Sequence, residues 1–209
     1  MVEDLRHGLG YTPDVPTEAS VGGVGRLVTK ARTGNCWHGL FFDITNIGKK
    51  TVSIKAIKTG SSPEPPTPVR EDRMTVGVYM CEGSTAGKEL DDEKWTQIGS
   101  QRNVQLPVVA YGEPDAYYGA LPIGSPIKIA PGDTKGFCIF GDSWRGVVLR
   151  AQLGSKFVAG EATDEDANIR LGAGLLPVND GGFRDGMFTQ VYSDSCADAF
   201  VGAIEYELE

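Results

Sequence analysis

Histidine is almost missing from this chain: His7 and His38 are the only two in 209 residues. Any Ser-His-Asp or Cys-His site would have to be built on His38, because His7 falls in a terminal stretch with few apolar positions. Cys36 stands two residues from His38 and would share its face on a strand, but no nucleophile elbow or oxyanion-hole motif accompanies the pair. A histidine packed beside Trp37 accounts for these residues without chemistry, and no catalytic residue is assigned. CxxC spacing is absent as well. The four cysteines, Cys36, Cys81, Cys138 and Cys196, are spread along the chain, which disfavours zinc clusters and thioredoxin-type redox motifs.

A basic excess is lacking too. The formal net charge is −8 and the pI near 4.9, so the mean field repels phosphate backbones and anionic membranes, and no nucleic-acid partner is expected. No run approaches the roughly 20 apolar residues of a membrane span, so no membrane insertion is expected. Met1–Gly10 carries Glu3, Asp4, Arg6 and His7 where a secretory signal needs an apolar block. The expectation is a soluble protein that is not secreted by that route or whose signal was removed; the compartment is left open, with a surface, virion or organelle shell among the settings.

Helical periodicity is scarce, and short alternating segments take its place. Hydrophobic residues make up 40% of the chain, while 28 glycines and 12 prolines signal many turns. Leu40, Phe42 and Ile44 share one face; Thr45–Lys50 reads as a turn; Val52, Ile54 and Ala56 alternate with Ser53 and Lys55, so a hairpin is expected. Met74, Val76, Val78 and Met80 form another face. Ile127–Ile129 enters the Pro131-Gly132 turn, and Phe137 and Ile139 follow, a second expected hairpin. Val147–Arg150, Asn168–Leu171 and Phe200–Leu208 complete the series, the last with Glu205 and Glu207 toward water. The pattern predicts an all-β fold, a two-sheet antiparallel β-sandwich of jelly-roll type with about eight to ten strands.

Residues 1–26 predict an extended N-terminal arm, and 27–209 a single sandwich domain. Gly22-Gly23-Val24-Gly25 lacks the Lys-Ser/Thr ending of a phosphate loop and reads as a flexible stretch. Pro63, Pro65, Pro66 and Pro68 remove backbone donors and make 60–73 a stiff exposed loop. Residues 101–126 are rich in Pro, Gly and Tyr and too long for an ordinary connection, which makes them the leading contact surface.

The order Gly34-Asn35-Cys36-Trp37-His38-Gly39-Leu40-Phe41-Phe42-Asp43-Ile44, then Val76-Gly77-Val78-Tyr79, then Trp95-Thr96-Gln97-Ile98-Gly99-Ser100 resembles the β-sandwich domains of bacterial and algal surface or secreted proteins. Those domains run from a G-N-G…FD(V/I) entry to W..IGS. The likeness extends over about residues 34–207 through Ile127–Gly132, Asn168–Gly172 and Phe200–Tyr206. It brings no catalytic set and implies a non-enzymatic domain of adhesion, coating or assembly. The 60–73 loop, the 101–126 segment and the four cysteines depart from its pattern.

Candidate binding residues are aromatic. Tyr111, Tyr117, Tyr118 and Trp37 offer flat apolar faces with polar tips, which stack on sugars or anchor protein interfaces; Trp95 and Trp144 are better suited to covering the core rim. Oxygen-rich loops at 163–168 and 179–186 make Asp164, Asp166, Asp180 and Asp185 calcium candidates, although neither loop has EF-hand spacing. First and last strands of sandwiches are often neighbours, so Cys36 and Cys196 are the disulfide candidates. No cofactor is expected. The leading expectation is a non-enzymatic structural protein that self-assembles or coats, as a shell, capsid, lattice or filament component, through its arm, long loops and sheet edges, with copies of itself or related sandwich subunits as partners. The alternative is a carbohydrate-binding module that uses the Tyr-rich loop to hold glycans, with or without calcium.

Overall fold

A computed structural model describes residues 23–33, 35–62, 73–113, 116–143, 146–151, 157–178, 190–192 and 197–209. The strands in chain order are β1 Val24–Val28, β2 Asn35–Trp37, β3 Gly39–Asn46, β4 Val52–Thr59, β5 Met74–Glu82, β6 Thr96–Val104, β7 Gly119–Ala120 and β8 Ile127–Ile129. They continue as β9 Thr134–Gly141, β10 Val147–Arg150, β11 Ala162–Glu165, β12 Ile169–Gly172, β13 Leu176–Val178, β14 Gln190–Tyr192, β15 Ala199–Phe200 and β16 Gly202–Leu208. The only helical element among the described residues is a 3-10 turn at Asp92–Lys94. This exceeds the expected number of strands because several are edge pieces of two or three residues.

The fold is an all-β sandwich of antiparallel sheets. A six-stranded sheet has the order β11-β12-β3-β9-β5-β6, and the opposing sheet runs β1-β16-β4, with β7 and β8 both along β4. Smaller sheets, β15-β10-β2 and β13-β14, complete it. Between the two large sheets lie Leu40, Phe42, Ile44, Val76, Val78, Phe137, Ile139, Ile169 and Leu171 from one side, and Leu27, Val52, Ile54, Ile57, Ile129, Ile204 and Tyr206 from the other. Phe42 stacks on Phe200 with centroids 4.7 Å apart. Burying one such ring contributes roughly 1.5–3 kcal/mol.

Leu40-Phe41-Phe42 and Phe137-Cys138-Ile139-Phe140 are unbroken apolar runs because β3 and β9, at the centre of the six-stranded sheet, are buried on both faces. Its outer face carries Phe41, Tyr79, Cys138 and Phe140, covered by Trp95 and Leu175. Trp95 sits 5.4 Å from Phe41 and donates its indole N–H to the Lys88 carbonyl at 2.7 Å.

Neither expected hairpin forms. β3 pairs with β9 and β12, whereas β4 pairs with β16, β7 and β8; β8 in turn pairs with β4 and β9 with β3 and β5. Both turns are therefore arches that carry the chain from one sheet to the other. Asn46, wholly buried, ties them together: its Nδ2 donates to Lys50 O at 2.9 Å and Ile129 O at 2.8 Å, and its Oδ1 accepts from Gly48 N at 2.9 Å. Its backbone also exchanges bonds with Asp133 O and Gly132 N.

The β4 pattern differs from expectation as well. A bulge opposite Glu205 and Tyr206 leaves Lys55 outside the register, so Ile57 rather than Ala56 follows Ile54 into the core. The polar 162–165 run is a strand in its own right, hairpinned to β12.

The arm boundary moves too. Val24–Arg26 belong to β1, which pairs with β16 through Val28 and buries Leu27. Gly25 is no flexible spacer here: a Cβ at this position would meet the Tyr206 ring at 2.1 Å, so the close approach demands glycine. Residues 1–22 of the expected arm lie outside the described residues, as do 63–72 of the Pro-rich loop.

Candidate functional site

The segment that follows β6 is anchored at alternate points and exposed between them. Leu106, Val109, Ala116, Tyr118 and Leu121 are buried, while Val108, Tyr111 and Tyr117 are 63%, 49% and 80% exposed. Val108 bridges Ser61 in parallel, with Ser61 N donating to Pro107 O at 2.8 Å and Val109 N to Ser61 O at 3.0 Å. Val109, Ala116 and Tyr118 pack on Val148, Val201 and Ala203. β7 then adds to the β4 edge. Far from being a loose connection, its described parts are held against the exit of β4, against β10 and against the start of β16.

The candidate aromatic residues therefore separate. Tyr117 is mostly exposed and Tyr111 half-exposed, with one ring face against Arg32, whereas Tyr118 is only 5% exposed and serves as packing. Adjacent residues of an extended segment point to opposite sides, and Tyr117-Tyr118 divides accordingly. Trp37 lies apart, on β2, half-buried, donating its indole N–H to Pro177 O at 2.8 Å with its ring edge-on to His38. His38 in turn stacks on Phe140 with centroids 6.0 Å apart.

Sequence reasoning missed Arg32. It lies in the polar run Thr29-Lys30-Ala31-Arg32-Thr33, which carries no signal of burial, yet it is 1% exposed and among the largest fully buried side chains. Its Nη1 donates to Val109 O at 2.9 Å, Nη1 and Nη2 reach Ser62 Oγ at 3.3 and 3.2 Å, and its guanidinium carbon sits 4.2 Å from the Tyr111 ring centroid. A planar cation against an aromatic face is a favourable electrostatic contact.

The calcium candidates within the described residues already spend their oxygens. Asp164 accepts from Arg150 Nη2 through one oxygen and from Lys30 N at 2.9 Å through the other. Burial pulls the Arg150 guanidinium down from its ordinary range, and Asp164 opposes that shift. Asp166 accepts from Asn168 N and Ile169 N at 2.8 Å and from the Tyr206 hydroxyl at 2.7 Å. A cation at this turn would have to displace those donors. Among the described residues no group of three His, Cys, Asp or Glu side chains is placed to hold a metal ion. Asp180, Asp185, Trp144 and Cys196, and with Cys196 the Cys36 pairing, lie outside the described residues.

Ion pairs cross the outer face of the β1-β16-β4 sheet: Glu205 takes Lys58 at 2.6 Å and Arg26 at 3.7 Å, and Glu207 takes Lys55 at 2.7 Å. Among the described residues no helix is long and apolar enough to cross a membrane. No known protein-family profile matches the chain, and no curated protein matches it.

Proposed function

We propose that this chain is a non-enzymatic structural protein that self-assembles or coats, using the 107–118 segment as a contact surface between copies of itself or related sandwich subunits. The observation that carries the reading is the placement of exposed apolar groups. Among the described residues Val108 and Tyr111 stand exposed in 107–113 and Tyr117 in 116–118, whereas Val24, Ile47, Leu90 and Val158 are exposed at single positions elsewhere in the chain. Tyrosines on a pre-ordered backbone lose little freedom on docking, which is why they serve as interface anchors. The resemblance to sandwich domains of surface and secreted proteins points in the same direction.

A second reading, a carbohydrate-binding module, is favoured by the same exposed rings of Tyr111 and Tyr117, since sugars stack on aromatic faces. Sedimentation velocity with electron microscopy, run beside retention on glycan resin, separates the two. Assembly predicts large ordered species that shrink when Tyr117 is replaced by Ala, with at least about a tenfold weakening typical of a lost anchor. A monomer retained on glycan resin supports the second reading, and Tyr117→Ala with unchanged assembly and unchanged retention removes the segment from both.

A further inference from the structure

We propose that Arg32 is the positioning residue of this contact surface: its buried guanidinium joins the 107–112 backbone to the exit of β4 and holds one face of the half-exposed Tyr111 ring. What the surface is for rests on the assembly reading above; the positioning itself does not. Two separate pieces of chain converge on this one side chain. From the Tyr-rich segment come the Val109 carbonyl at 2.9 Å and the Tyr111 ring at 4.2 Å; from the exit of β4 comes Ser62 Oγ at 3.2 Å. The connection after β1 supplies Arg32 itself, whose carbonyl accepts the Gly112 N–H at 3.1 Å.

Taking a guanidinium out of water is costly, so a residue needed only to fill space at this position would be apolar. Arginine offers what neither lysine nor methionine has, a planar fork that donates in two directions within its plane while its face stacks on an aromatic ring. Ser62 also opens the Pro-rich 60–73 segment, so the same cation meets the roots of both long segments that depart from the sandwich pattern.

The test uses the full chain carrying Arg32→Lys or Arg32→Met, with amide hydrogen exchange read at Val109 and Gly112 and at β3 and β9 as internal controls. Both variants should exchange at Val109 and Gly112 about tenfold faster or more, with β3 and β9 unchanged and lysine failing to rescue. Their near-ultraviolet tyrosine dichroism should weaken in step. Folded variants that keep wild-type protection at both amides overturn the proposal. Should neither variant fold, the wild-type protein still decides it: these two amides must be protected to a degree comparable with Val148, which donates to Gly60 O, and fast exchange at both overturns the proposal. Sedimentation of the same variants keeps the two ideas apart. Lost protection with unchanged assembly upholds the positioning by Arg32 and removes this segment as the assembly contact, whereas lost protection with weakened assembly upholds both.

Discussion

Cys138 lies wholly inside the outer-face cluster of the six-stranded sheet, and burial pushes its thiol well above the ordinary value of 9.0, with the nearby Cys81 thiol adding to the rise. Cys81 is raised as well, mainly by burial, with Lys88 pulling against it. Tyr79, in the same cluster, is raised above 10.0 by burial first and by Cys138 second. All three are neutral when protonated, and all three hold their protons more tightly folded than unfolded. Their contribution is therefore fully present below the unfolded values and falls as pH climbs past 9.0 for the thiols and 10.0 for the phenol, because the unfolded chain then binds fewer protons than the native one. The urea midpoint should hold steady to about pH 8 and drop by about pH 11, and Cys138→Ala should flatten that drop. A wild-type midpoint equal at both pH values would contradict the argument. At this scale the sequence was legible in part. Tyr111 and Tyr117 stand exposed where an aromatic, Pro-rich stretch suggested a surface, but Tyr118 is packed inside, and the burial of Arg32 left no trace in its polar neighbours.

Strand faces were readable in advance because side-chain direction is local, whereas strand partners were not because pairing is decided by the rest of the chain. Leu40, Phe42 and Ile44 do share a core face, as do Met74, Val76 and Val78. The turns after Ile44 and Ile129, however, look the same in sequence whether the chain folds back beside itself or steps to the other sheet. Asn46 makes the difference physical. Its side chain satisfies two carbonyls and one N–H within the paired arches, a role that a hairpin turn would not require. Asn46→Ala should thus leave the buried Ile129 carbonyl without this donor, and cost about 1–3 kcal/mol. Asn46→Asp keeps the acceptor but loses both donations, and should fall in the same range. Chemical denaturation checks both, and a loss below about 1 kcal/mol in Asn46→Ala would show that the arches hold without this residue.

Across the whole molecule the dominant electrostatic fact is a net charge of −8 on every copy. The cross-strand ion pairs of Glu205 and Glu207 sit at half-exposed positions, where such pairs contribute little, so they do not decide how copies meet. Two like-charged subunits repel at long range, and that repulsion opposes any contact made through the apolar Val108, Tyr111 and Tyr117. Salt shortens the reach of the repulsion, from roughly 30 Å at 0.01 M to about 10 Å at 0.1 M, and leaves apolar contact nearly untouched. Self-association through this segment should therefore strengthen as salt rises, seen as a growing weight-average mass at fixed protein concentration. Stacking of an uncharged glycan on the same tyrosines carries no such term, and its affinity should stay flat over the same range. A mass that falls with added salt would mean that attraction between opposite charges on different copies, rather than apolar contact, draws the subunits together, and would move the interface away from the 107–118 segment.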